Sequence, residues 1–174
     1  MTGAMSVETL DGLDDHACAA TLAPLFEGAP RFLARLVAAR PFGEVAGLFA
    51  RARAVAHAMP EDEQLELIDA HPRLGAAPDS VSPMSFVEQG YDLNVAEIAA
   101  AAQHARLAEE LERLNAAYEA RFGFRYCVFV DGRPREALLP EMEASLAADR
   151  TAEIVRALDA VVDIAADRYA RLGA

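Results

Sequence analysis

Apolar residues recur through most of this chain at spacings of three and four, the period of an amphipathic helix. Asp14 and Asp15 are candidate N-caps ahead of Ala19, Leu22, Leu25 and Phe26. Pro30 is placed to open a second short helix, and Pro41 ends it. A third helix is predicted over about 43–58, with Val45, Leu48, Phe49, Ala52 and Val55 inward. Pro60 and the acidic Glu61, Asp62 and Glu63 suit the first turn of a fourth, whose apolar residues are Leu65, Leu67 and Ile68.

Beyond a Gly/Ala/Pro loop, Ser82 followed by Pro83 reads as an N-cap with proline at the first helical position. A long helix is predicted over about 95–122, with Ile98, Leu107, Leu111, Leu114 and Tyr118 inward and Gly123 as its stop. Two more follow, near 134–147 and 151–172. Only 124–130 looks extended, and no second strand is evident to pair with it. Its backbone groups then need other partners, of which a ligand can be one. The expectation is an all-α, multi-helix bundle with one short extended segment, a single domain over 1–174, since 174 residues that are 53% hydrophobic can bury one good core.

Charge narrows the functional classes. A net charge of -12 opposes nucleic-acid binding, and an anionic ligand would require a locally positive site. The 16 basic residues are all Arg, so this chain offers no lysine for a Schiff base or a pyridoxal phosphate aldimine. Cys18 and Cys127 lie far apart and read as small buried hydrophobes, and the four histidines are scattered without metal-ligand spacing. No metal is expected. Residues 1–9 carry no apolar stretch suited to a signal segment, and no run reaches membrane-spanning length, so the expected location is the cytoplasm with no membrane partner.

Three places can carry chemistry. His71 ends the fourth helix, and Pro72 disfavours helical backbone there, leaving either a polar C-terminal cap or a titratable imidazole on a stiff corner. Ser85, Glu88 and Gln89 share one helix face, which is either a polar surface or a functional cluster; Ser85 to Glu88 can also be read as a capping box. Arg168 falls on the apolar stripe of Leu158, Val161, Val162, Ala165 and Leu172. It either snorkels to solvent or is buried with an anion, for which Glu88 or a substrate carboxylate would serve.

An ordered set of motifs runs through Leu25-Phe26-Glu27-Gly28-Ala29-Pro30, Arg40-Pro41-Phe42, His71-Pro72-Arg73-Leu74-Gly75, Ser85-Phe86-Val87-Glu88-Gln89 and Arg121-Phe122-Gly123-Phe124. In the last helix Glu153, Ala157-Leu158, Ile164 and Arg168 continue it. Together they resemble the 2-oxo-4-hydroxy-4-carboxy-5-ureidoimidazoline (OHCU) decarboxylase family. The resemblance implies an all-α homodimer that uses no cofactor on a small anionic ureide. It assigns the catalytic histidine to His71, its acidic partner to Glu88 and the anion-binding arginine to Arg168. Substrate contacts are implied from Pro72, from Ser85, Phe86, Val87 and Gln89, and from Tyr126, Cys127, Val128, Phe129 and Val130. The implied product is (S)-allantoin.

Two departures stand out. Before the last helix, Ser145-Leu146-Ala147-Ala148 replaces the family's Arg-Leu-x-Asn, and Arg125-Tyr126 stands where a proline and an aromatic residue follow Phe-Gly-Phe. The residues alone leave two other readings open: a hydrolase of a ureido compound using His71 as base, and a non-catalytic helical module that binds a small anion or a protein.

Overall fold

The computed structural model describes residues 5–92 and 98–173, and the side chains of all of these except 98–102. Regular structure among them is entirely helical: α1 (Val7–Gly12), α2 (Asp15–Leu22), α3 (Pro30–Ala38), α4 (Val45–Ala58), α5 (Glu61–Asp69), α6 (Pro83–Glu88), α7 (Ile98–Phe122), α8 (Arg135–Ser145) and α9 (Arg150–Gly173). Single 3-10 turns occupy Ala23–Phe26 and Pro78–Ser80. The all-α expectation is met. Packing groups the chain into two compact units, Met1–His71 with Ile154–Ala174, and Pro72–Glu153.

In the first unit, side-chain caps start α1 and α2, and a proline starts α3. Asp14 accepts from the Ala17 N–H at 2.9 Å to begin α2, and Pro30 opens α3, which buries Phe32, Leu33, Leu36 and Val37. The helix α1 was not foreseen; Ser6 caps it, and Val7 and Leu10 are buried. Helix α4 begins at Val45 rather than 43, and Val45 is exposed rather than inward. Its buried line is Leu48, Ala52 and Ala56, four residues apart, which leaves the first turn in solvent. In α9 the buried residues include Leu158, Val161, Val162, Ala165 and Arg168, whereas Leu172 is exposed, against expectation. The buried stripe therefore ends on Arg168, and the last turn beyond it is exposed.

The Arg40-Pro41-Phe42 motif has a structural job in this unit. Arg40 donates to the carbonyls of Leu10 at 3.1 Å, Leu13 at 2.6 Å and Val37 at 3.1 Å, and it pairs with Asp15. The Asp11 carboxylate accepts the N–H groups of Phe42 at 2.7 Å and Gly43 at 2.9 Å, which hold its pKa below the usual carboxylate value. Side chains thereby satisfy the backbone groups left over at the ends of α1 and α3.

In the second unit, Ser82 accepts from the Ser85 N–H at 3.2 Å, so Ser85 lies inside the first turn of α6 and is not its cap. Leu107, Leu111, Leu114, Tyr118 and Phe122 form the buried line of α7; the predicted start at 95 and the inward Ile98 lie outside the described residues and side chains. Tyr118 packs edge-on against Phe124 and Tyr126, with centroids 5.6 and 5.1 Å away, and donates to Glu153 at 2.7 Å. Residues 125–130 of the run expected to be extended over 124–130 belong to no helix and no sheet.

The glycine of the His-Pro-x-Leu-Gly motif is required by its surroundings. Gly75 has φ +80°, and a Cβ there would lie 2.8 Å from the Leu111 Cδ1. Gly75→Ala is therefore expected to cost on the order of 2 kcal/mol, from the left-handed backbone and the displaced leucine together. Urea unfolding checks this; an unchanged midpoint would mean that the 72–76 loop adjusts freely.

Candidate active site

The first unit brings two of the three expected catalytic residues into electrostatic contact. His71 follows α5 by two residues, and its backbone N–H still bonds to the Ile68 carbonyl at 3.1 Å. The imidazole folds back so that Nδ1 lies 3.3 Å from the Leu67 carbonyl. A carbonyl only accepts, so Nδ1 carries the proton and Nε2 presents its lone pair. His71 is 4% exposed.

Arg168 lies five full turns into α9 and is only 2% exposed, which removes the snorkelling alternative. Its Nη1 donates to the carbonyls of Pro24 at 2.9 Å and Leu25 at 3.4 Å, and its Nη2 donates to the Glu27 carboxylate at 2.7 Å. Glu27 thus supplies an anion that sequence reasoning sought in Glu88. It lies within a quoted motif, yet no spacing rule connects it to a residue 141 positions later.

These neighbours decide the state of the imidazole. Burial, and then the positive charge of Arg168, push the His71 pKa down to about 4, against smaller opposing effects of Glu27 and the Leu67 carbonyl. At neutral pH His71 is uncharged and can accept a proton.

The second unit holds the other expected site residues. Glu88 closes α6 and is half-buried, Ser85 and Gln89 are buried, Phe86 is half-buried with its ring tilted 45° to that of Tyr91 at 5.6 Å, and Val87 is exposed. Ser85 and Gln89 share an inward face of α6, which removes the polar-surface reading for these two residues. Both ends of the Gln89 amide grip the loop after Pro72: Oε1 accepts from the Gly75 N–H at 2.7 Å and Nε2 donates to the Arg73 carbonyl at 3.2 Å. Asn115 donates to the Leu74 carbonyl at 3.0 Å and Tyr91 to that of Ala76 at 2.6 Å. Sequence reading missed this clamp, since Asn115 sits within the α7 pattern as an ordinary polar residue.

In the non-helical run over 125–130, Tyr126, Cys127 and Val130 are buried while Val128 and Phe129 are half-buried. Arg133 takes the carbonyls of Phe129 at 2.7 Å and Val130 at 3.0 Å. No group of three or more His, Cys, Asp or Glu among the described residues is placed to hold a metal ion, and no described helix is long and apolar enough to cross a membrane.

Comparison with known proteins bears on this arrangement. A model of the OHCU decarboxylase family matches residues 11–170. The chain belongs to that family. It is 28% identical over 166 residues to a 2-oxo-4-hydroxy-4-carboxy-5-ureidoimidazoline decarboxylase of Haloferax volcanii, covering 95% of both chains. It is also 28% identical over 165 residues to the uric acid degradation bifunctional protein PucL of Bacillus subtilis, where it spans 95% of its own length but only 32% of the relative's. Two solved structures share the fold. An OHCU decarboxylase crystallised in the presence of (S)-allantoin has TM-score 0.67 at 19% identity, with 92% of this chain and 99% of that one covered. An (S)-allantoin synthase has TM-score 0.66 at 20% identity, with 97% and 54% covered.

The depressed His71 pKa makes this family member's stability pH-dependent in a stated direction. As pH falls from 6.5 towards 4, the unfolded chain takes up the His71 proton first, so stability drops through that window, by on the order of 3 kcal/mol in total; above 6.5 this group contributes no slope. In His71→Asn that part of the decline should be absent. Urea midpoints of both proteins at pH 7 and pH 4.5 measure it, and equal declines would show that His71 is not held neutral.

Proposed function

We propose that this chain decarboxylates OHCU to (S)-allantoin in urate breakdown, using no cofactor. The single observation that carries the reading is a buried, neutral imidazole beside a buried arginine, on the two motif positions that the family resemblance assigns to proton handling and anion binding. A homodimer, a single domain over the whole chain and a cytoplasmic location belong to the same proposal.

The substrate carries its own electron sink. The carbon that loses its carboxylate also bears a hydroxyl and adjoins a ring C=N bond. As the C–C bond to the carboxylate breaks, its electron pair forms a C=C bond, and the C=N pair moves to nitrogen, which takes a proton. The enol left behind passes its hydroxyl proton to His71 Nε2 and becomes a carbonyl, while the neighbouring carbon is protonated on one face, with His71 returning the proton. Glu88 takes the acidic role that the family resemblance assigns to it. Arg168 grips the anion and keeps its carboxylate out of the ring plane, the alignment in which the breaking bond overlaps the C=N π system.

The direct test generates the unstable intermediate from urate and follows the circular dichroism of the allantoin formed. Faster appearance of one enantiomer with the protein supports the proposal, and unchanged racemic decay sinks it. His71→Asn is expected to fold and to lose at least ~100-fold in rate, the scale of a positioned acid–base group. Near-wild-type turnover would remove His71 from the mechanism.

Arg168 is tested in two ways. Arg168→Lys keeps the charge but loses the planar fork, and turnover should weaken clearly. Arg168→Met should be nearly inactive and, because it strands the Glu27 carboxylate, less stable by on the order of 3 kcal/mol. Steady-state kinetics with thermal unfolding reads both; full activity in Arg168→Met would end the anion-binding assignment.

A further inference from the structure

The Arg168 guanidinium is held at three points by one short piece of chain. Nη1 bonds the carbonyls of Pro24 and Leu25, and Nη2 the carboxylate of Glu27, so these three acceptors lie within four consecutive residues. That piece is rigid. Pro24 sits in the 3-10 turn Ala23–Phe26, Leu25 and Phe26 are fully buried, and the Gly28 N–H returns to the Ala23 carbonyl at 2.9 Å. Glu27 itself has φ +52° and is followed by Gly28 at φ +76°. A left-handed residue at this point favours Gly, Asn or Asp, yet the position holds a long acid with a side chain only 12% exposed. The extra length delivers the carboxylate to Nη2.

We propose that Glu27 is a positioning residue for the reaction: carboxylate and turn together fix the plane of the Arg168 guanidinium so that its fork meets the substrate anion. This rests on the reading of Arg168 as the anion-binding group. Mere neutralisation of a buried arginine would need a negative charge nearby, at no particular reach. Positioning needs an acceptor at the length of Glu, whether or not it is charged. The two roles therefore order the variants at Glu27 differently.

Glu27→Asp keeps the charge and suits left-handed backbone at least as well, but falls one methylene short. Glu27→Gln keeps the reach and an acceptor oxygen but loses the charge. Positioning predicts opposite rankings in stability and catalysis. Thermal unfolding should place Glu27→Asp within about 2 °C of wild type and Glu27→Gln several degrees below it. In kcat/KM, measured below either Tm, Glu27→Asp should lose about tenfold or more, mostly in KM, and Glu27→Gln distinctly less. Adding Glu27→Asp to Arg168→Lys should cost less than about twofold further, because the fork to be aligned is already gone.

The proposal is overturned if Glu27→Asp has wild-type kinetics, if catalysis follows the order of stability, or if Glu27→Asp costs as much in the Arg168→Lys background. Should Glu27→Asp fail to fold, Glu27→Gln decides: a KM rise that persists in the Arg168→Lys background overturns it, and one that disappears there supports it. Full activity of Arg168→Lys alone would instead defeat the anion-binding reading on which the proposal stands. An impaired Arg168→Lys beside a normal Glu27→Asp would defeat only the positioning role.

Discussion

A guanidinium on the apolar face of a helix is the constraint from which the rest of the first unit follows. Taking Arg168 out of water is costly unless hydrogen bonds and an anion compensate, and both come from one turn, through the carbonyls of Pro24 and Leu25 and the carboxylate of Glu27. That compensation requires the chain after α2 to tighten into a 3-10 turn and then reverse through two left-handed residues into α3. The same charge reaches His71, where it adds to burial in keeping the imidazole neutral. A buried ion pair of this kind contributes little net stability, so its presence is better explained by what the arginine does to its neighbours than by folding.

The second unit shows how much of a family motif serves the backbone. Gly75 provides the left-handed bend under Leu111, and Gln89, Asn115 and Tyr91 together satisfy one N–H and three carbonyls of residues 73–76. A loop whose polar groups are bonded on this scale cannot drift, and Pro72 at its start stiffens it further. Arg40 and Asp11 perform a comparable task in the first unit. Only some of the recurring residues are thus placed for chemistry, and the others keep the loops that carry them in one conformation.

Glu27, which the sequence pattern does not mark, and the residues that it does mark differ in one respect. Arg168 was legible because helical period is local: Ala165 three residues before it shares its face, and the inward side follows from 3.6 residues per turn. The caps at Asp14 and Ser82 and the proline starts at Pro30 and Pro83 were legible for the same reason, each being a contact over three or four residues. Glu27 carries no such mark. Its partner lies 141 residues away, and its left-handed backbone caps the 3-10 turn Ala23–Phe26 without the Gly or Asn that would announce it.

By itself, then, the sequence determined the helical class, most helix starts, the family, and the presence of His71 and Arg168 at positions where polar residues need a reason. Tertiary structure decided which acid compensates the arginine, which ring nitrogen of His71 carries the proton, and that the Gln89 amide is spent on the loop at 73–75. It also turned Val45 and Leu172 out to solvent at helix ends, where period alone gives no sign that the covering surface has stopped. The physical reason is that periodicity and capping are satisfied within one turn of chain. Charge compensation, burial and hydrogen-bond direction depend instead on which distant segments pack together.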